Sequence, residues 1–156
     1  MKEPKYQFIA EPEMPTFISQ DERITNKLVA SNYNDLQSKI ETESELSVIW
    51  SNANAGGSQT FSLPNLFNVM LYVINGTVRI TTCGKVEKES LVVFDNNAEG
   101  IEISAESNAQ FLILAGEPIN EKVVQQGPFV MNTSTEILEA MRDYQMEKMG
   151  ILIKEK

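Results

Sequence analysis

Between Leu46 and Ala115 the chain repeats one pattern of construction, a short run of β-branched and apolar residues followed by a tight cluster of turn formers. LSVIW (Leu46 to Trp50) ends in SNANAGGS, FNVMLYVI (Phe67 to Ile74) in Asn75-Gly76, and TVRITT (Thr77 to Thr82) in Cys83-Gly84. SLVVF (Ser90 to Phe94), GIEIS (Gly100 to Ser104) and FLILA (Phe111 to Ala115) follow, with DNNAEG and AESNA between them. Runs this short and this closely spaced build an antiparallel sandwich or barrel, so the fold class is all-β. Asn75-Gly76 most favours a type I′ hairpin turn, which makes TVRITT the return strand of FNVMLYVI.

Apolar residues occupy both parities of FNVMLYVI and FLILA, so both faces of those strands are expected to be covered. GIEIS instead alternates, with Ile101 and Ile103 on one face and Glu102 and Ser104 on the other. The first thirty residues carry Pro4, Pro12 and Pro15 and read as extended segments at a sheet edge, because proline cannot donate to a central ladder.

The helix lies near the end. Thr133 and Glu136 have capping-box spacing, and Gly150 offers a C-terminal stop. Between them Ile137, Leu138, Met141, Tyr144, Gln145 and Met149 form a mostly apolar stripe that docks on the domain or on a partner. One domain is expected over residues 1–156: a barrel over about 1–115, an irregular strap at 116–132, the helix at 133–150 and a tail at 151–156. The apolar tail ILIKEK is expected to pair with a sheet edge, its own or a neighbour's, and in the second case its deletion shifts the oligomeric state.

The chain contains no histidine. That removes Ser-His and Cys-His nucleophiles, the imidazole base and the commonest metal ligand together. Chemistry is left to carboxylates, Lys, Tyr and Cys83. The formal charge of -9, from 22 acidic against 13 basic residues, repels phosphate backbones and anionic lipid, which argues against direct nucleic-acid or membrane partners. A single cysteine allows no internal disulfide, and the N-terminus lacks the apolar core of a signal peptide. With no apolar run long enough to span a bilayer, a soluble, cytoplasmic protein is the expectation.

The remaining constellations read as structural. Cys83, beside Gly84 and near Lys85, is an inert strand-end thiol. Asp95 and Glu99 could offer oxygen ligands but sit in a solvated turn cluster. Gly56-Gly57-Ser58 lacks the Lys-Ser or Lys-Thr of a phosphate loop and reads as a barrel turn. Trp50 and Tyr72 are assigned to core packing.

LAGEPINEKVVQQGPFVMNT, followed by a helix containing AMRDYQ, closely resembles the C-terminal segment of the pirin family of two-domain cupins. FNVMLYVINGTVRI and ESLVVFD resemble strands of the second cupin domain, so the match covers most of the chain. The resemblance implies a cupin-type double-stranded β-helix, a jelly-roll barrel with a C-terminal α-helix. It also implies that the N-terminal cupin domain, which carries the iron ligands in pirins, is missing here.

Counting the cupin metal pattern back from Gly76 puts its Glu position at Val69. Its two His positions fall at Ser62 and Pro64 with Gly56 in front, or at Leu63 and Asn65 with Gly57 in front. The later His position falls at Gly100 or Ile101. The cupin frame is kept and its ligands are replaced, so neither a metal nor another cofactor is expected.

The function expected from this resemblance is a metal-free, non-catalytic binding or assembly module. In full pirins two cupin domains face each other and the terminal segment helps to join them. The expected partner is therefore a second copy or another cupin-domain protein, met through Phe129, Met131, Met141, Tyr144 and Ile151. The alternative is a metal-independent small-molecule enzyme, or a ligand-binding cupin, using Glu99, Glu117 or Tyr72 in the barrel. Pirins are also described as transcription co-regulators, and some as quercetin 2,3-dioxygenases. The dioxygenase needs the missing metal site, whereas co-regulation works through protein contacts.

Overall fold

Alternate inward-facing apolar residues drive most strands of this structure, a computed structural model that describes residues 6–95 and 100–150. A 3-10 turn at Glu11–Glu13 leads into β1 (Thr16–Ile18), β2 (Ile24–Tyr33), β3 (Leu36–Gln37), β4 (Leu46–Ala53) and β5 (Ser58–Phe61). Next come β6 (Asn68–Asn75), β7 (Thr77–Ile80), β8 (Gly84–Glu87), β9 (Ser90–Phe94), β10 (Ile101–Ala105) and β11 (Ala109–Gly116). The chain ends in β12 (Val124–Gln126), β13 (Phe129–Met131) and α1 (Ser134–Gln145). Two compact units divide at Pro118 and Ile119.

In the first unit the larger sheet runs β1-β2-β4-β11-β6-β9, with β3 paired to β2, and the smaller runs β5-β10-β7-β8, all antiparallel. One core fills the space between them. Leu28, Ile49, Leu71, Val73, Phe111 and Ile113 come from the larger sheet, and Phe61, Val78, Ile80 and Ile103 from the smaller. From β4 onward the chain passes back and forth between the sheets, as in a jelly roll.

That alternation overturns the hairpin expected at Asn75-Gly76. β6 pairs with β11 and β9 while β7 pairs with β10 and β8, so the dipeptide carries the chain across from one sheet to the other. Gly76 holds φ +76, and a Cβ there would stand 2.1 Å from the Asn108 carbonyl oxygen and 2.7 Å from Ala109 Cα. The crossing is clamped from the same side, since Thr77 N–H donates to Ser107 Oγ at 2.9 Å and Glu106 N–H donates to Thr77 O at 3.0 Å. A hairpin does form one strand later, between β7 and β8, at Thr81 to Cys83.

Three further expectations change. The first thirty residues do supply the edge strand β1, but β2 lies inside the sheet between β1 and β4; Pro4 is outside the described residues. The strands with apolar residues on both parities are buried on one face only. In β6, Val69, Leu71 and Val73 point inward, while Tyr72 stands 37% exposed, and Leu91 and Val93 of the neighbouring β9 reach 55% and 69%. Trp50 and Tyr72 belong to this outer face and not to the core.

The smaller unit shows that residues 117–132 are not wholly irregular. β12 and β13 pair across the two-residue loop Gly127-Pro128, with Gln126 opposite Phe129. Positive φ at Gly127 (+57) followed by proline, whose φ is fixed negative, is the sequence of a type II′ turn. Thr133 caps α1 in a capping box with Glu136. The helix ends at Gln145, short of the stop expected at Gly150, as the chain turns at Met146 and takes a positive φ at Glu147. Of the anticipated stripe only Ile137 is buried, together with Ala140; Leu138 and Tyr144 are exposed, and Met149 lies past the helix.

Two substitutions test the crossing. Gly76→Ala adds the Asn108 clash to the positive-φ cost and is expected to lose about 2–5 kcal/mol in urea unfolding, whereas Gly84→Ala, at φ +83 in open space, loses only about 1–2. A third concerns Asp21, which accepts from Ser19 Oγ (2.5 Å), Arg23 N–H (3.0 Å) and Ser58 N–H (2.8 Å), and so ties the β1–β2 turn to β5. The Ser19 hydrogen bond foremost, then the two backbone donors, lower its carboxyl below the ordinary value. A lowered folded pKa gives stability that is complete above about pH 4 and lost as pH falls through the folded value. The melting difference between wild type and Asp21→Asn is therefore expected to be full at pH 7 and to shrink as pH falls below about 4.

Candidate functional site

Around the positions counted above as metal-ligand sites, this chain packs apolar side chains. After β5, Phe67 N–H donates to Pro64 O at 3.0 Å, and this turn drops Leu63 and Phe67 into the interior. Leu63, Asn65, Phe67, Val69, Gly100 and Ile101 then enclose, with their neighbours, a void of about 10 Å³. That is no more than the room one water needs. Leu63, Phe67, Val69 and Ile101 are each buried to within 8% exposure.

Leu63, Pro64, Asn65 and Val69 line the closed mouth together with Gly100 and Ile101, so members of both counted ligand sets fall there, while Ser62, Pro64 and Asn65 are exposed. Apolar carbons, a glycine and one exposed amide do not fit an iron, copper or zinc ion, which needs imidazole, thiolate or clustered carboxylates. Among the described residues no group of three or more Cys, Asp or Glu side chains converges to hold a cation. Asp95 borders the closed mouth; Glu99 lies outside the described residues.

A roomier cleft of about 360 Å³ lies on the side of Ser62, lined among others by Asn32, Tyr33, Glu45, Ser47 and Ser62. Tyr33 organises it. Its ring stacks on Phe17 (centroids 5.0 Å, 21°), leans on Phe61 (6.4 Å), and its hydroxyl accepts the Ser62 N–H at 3.2 Å. Burial, its largest influence, pushes the Tyr33 phenol above its ordinary pKa. Ser47 Oγ donates to Asn32 O at 2.5 Å, which fixes the wall beside it. These are hydrogen-bonding groups with no acid–base pair among them.

The residues of the alternative, enzymatic reading are dispersed. Glu117 is exposed at the end of β11, and Tyr72 faces outward on the larger sheet. No Asp or Glu is buried among the described residues. Glu11, Glu13 and Glu87 are all held below the ordinary carboxylate range by hydrogen bonds to Lys27, Lys39 and Lys85, so they favour the charged form. Cys83 is exposed in the β7–β8 turn, and Lys85 pairs with Glu87 at 2.8 Å. Gly56 N–H and Gly57 O are both committed to Ala105, at 2.7 and 2.8 Å, which makes the glycine pair a turn and no phosphate cradle.

Sequence reasoning missed one buried polar chain. Asn26 and Ser51 are fully buried; Ser51 Oγ donates to Asn26 Oδ1 (2.6 Å), whose Nδ2 donates to Gln59 Oε1 (2.7 Å) and Phe17 O (3.3 Å). The signal was present, since Asn26 occupies the inward parity between Ile24 and Leu28. In the smaller unit Phe129 meets Tyr144 edge-on (6.0 Å, 68°), Met131 and Met141 are half-buried, and Ile151 lies outside the described residues.

Residues 48–150 match the family described as the Pirin C-terminal cupin domain. Pirin-like protein 2 of Arabidopsis thaliana is 28% identical over 158 residues, covering 96% of this chain and 49% of its own length. A putative quercetin 2,3-dioxygenase of Pseudomonas aeruginosa is 40% identical over 91 residues, 58% of this chain and 32% of its own. A crystal structure titled quercetin 2,3-dioxygenase from Acinetobacter baumannii superposes with a TM-score of 0.87 at 28% identity, covering 96% of this chain and 52% of that one. The chain thus spans about half the length of the curated relatives that it matches along most of its length.

The closed mouth makes a stability prediction. Phe67→Ala is expected to lose about 3–5 kcal/mol in urea unfolding through the cavity it leaves, and Tyr33→Phe, which removes one acceptor, only about 1 kcal/mol.

Proposed function

The chain belongs to the pirin family through its C-terminal cupin domain, and on that premise we propose that it is a metal-free, non-catalytic cupin serving as a binding or assembly module. Its contact surfaces are the outside of the jelly roll and the C-terminal segment, and its partner is a second copy or another cupin-domain protein. The observation that carries this reading is the mouth packed by Leu63, Phe67, Val69 and Ile101, with about 10 Å³ left. A ligand set cannot be recruited there without rebuilding the core. Phe129 and Tyr144, an aromatic pair with Tyr144 65% exposed, supply the kind of rigid anchor that interfaces use.

A second reading, a ligand-binding cupin without a metal, is favoured by one feature, the cleft of about 360 Å³ around Tyr33. Its lining of amides, hydroxyls and the Glu45 carboxylate suits a small polar molecule. The absence of a buried carboxylate among the described residues gives an enzyme no burial-raised carboxylic acid to work with there.

Two measurements test the proposal. After incubation with excess Fe(II), Ni(II) or Cu(II) and desalting, metal content is expected to stay far below one ion per chain, and quercetin to cause no oxygen uptake; stoichiometric iron or copper, or quercetin-dependent uptake, would overturn the non-catalytic reading. For the C-terminal surface, a separately purified N-terminal pirin-type cupin domain is titrated into the chain by calorimetry. Binding weakened about tenfold or more by Phe129→Ala with Tyr144→Ala is expected. No heat with wild type, or an affinity indifferent to the pair, removes that surface from the proposal.

A further inference from the structure

The outer face of the larger sheet carries no charge where four of its strands lie side by side. The outward residues of β4, β11, β6 and β9 include no Asp, Glu, Lys or Arg, in a chain with 22 acidic and 13 basic residues. Register aligns them in rows. One row across the strands reads Trp50, Leu112, Tyr72, Leu91, and the next reads Val48, Leu114, Met70, Val93. Polar uncharged groups close one end, where Gln110 Nε2 donates to Asn52 Oδ1 at 2.9 Å. An apolar centre with a polar border is the anatomy of a contact surface.

Area and charge narrow the occupant. β4, β6 and β11 are each eight residues long, and four strands about 4.8 Å apart, rising about 3.3 Å per residue, present a face of about 500 Å². Two such faces stacked bury about 1,000 Å², which reaches the lower bound of a specific interface. Two copies at -9 each repel one another, and on this face they meet without opposing carboxylates. The face is also complementary to itself. A two-fold axis along the strands, lying in the interface, sets β4 over β9 and β11 over β6, so Trp50 meets Leu91 of the partner subunit and Val48 meets Val93 of the partner subunit. Bulky and small side chains thereby alternate across aligned sheets.

We infer that the face formed by β4, β11, β6 and β9 is a homodimer interface, occupied by the same face of a second copy of this chain. The inference rests on the assembly reading above and selects its partner and surface. The modest area makes the dimer concentration-dependent, with a dissociation constant in the micromolar range.

The test is sedimentation equilibrium of the full chain from about 1 to about 300 µM, for wild type and for Leu91→Lys with Val93→Lys. Both residues are more than half exposed, so the variant is expected to keep the wild-type melting temperature and circular dichroism. Wild type is expected to pass from monomer to dimer, the variant to weaken the dimer about a hundredfold or more, and salt at about 0.5 M to tighten the wild-type dimer relative to about 0.05 M. Should the double variant unfold, Val93→Lys alone serves in its place. A wild type that stays monomeric at the highest concentration, a dimer untouched by the lysines, or one that salt dissociates would overturn the inference. If wild type is monomeric yet binds the N-terminal cupin domain in the calorimeter, only the second-copy inference falls and the assembly reading stands.

Discussion

Phe61 of the smaller sheet and Phe111 of the larger meet edge to face at 6.2 Å, both fully buried, and the layer they share fixes the rest of the unit. Phe111 stands opposite Ser51 on one side and Val73 on the other, which sets the register of β4, β11 and β6 together. A slip of one residue would turn each strand's buried set outward. The outward set is then fixed as well, so the uncharged face is the other half of the same registration.

The constraint explains why the mouth could close. A cupin keeps metal by reserving inward positions near the rim for polar ligands. Here Leu63, Val69 and Ile101 are buried at the mouth, and the Pro64 to Phe67 turn adds an aromatic plug. Polar interior groups survive elsewhere, as in the Asn26, Ser51 and Gln59 chain, but there each partner is supplied by the protein itself. Among the described residues no buried side-chain polar atom is left without a partner.

Much of this was legible in the sequence. Strand runs and the capping box at Thr133 follow from local composition and spacing, which the structure bears out. The Asn75-Gly76 crossing was not legible, because a hairpin and a sheet-to-sheet passage make the same demand for positive φ; what separates them is the loop around Asn108, thirty-odd residues away in sequence. The uncovered outer face was misread for a related reason. Apolar residues on both parities report a wish for cover, and say nothing about whether the cover comes from the same chain. Tyr33 went unnoticed as the centre of a cleft because its neighbours Phe17 and Ser62 are distant in sequence and its own strand end looks like any other.

The passage of the chain between two sheets also governs how it reaches this state. Because strands consecutive from β4 to β7 never pair with one another, β4, already beside β2, finds its second neighbour only in β11, and Asn52 bonds to Gln110 across 58 residues. Loop closure of that length has to be accomplished before the pairing returns any energy, so folding belongs to the slow, milliseconds-to-seconds regime of high contact order. During that interval the uncharged strands are without their neighbours. The acidic surplus of the chain, 22 against 13 basic residues, sets up repulsion between copies throughout that interval.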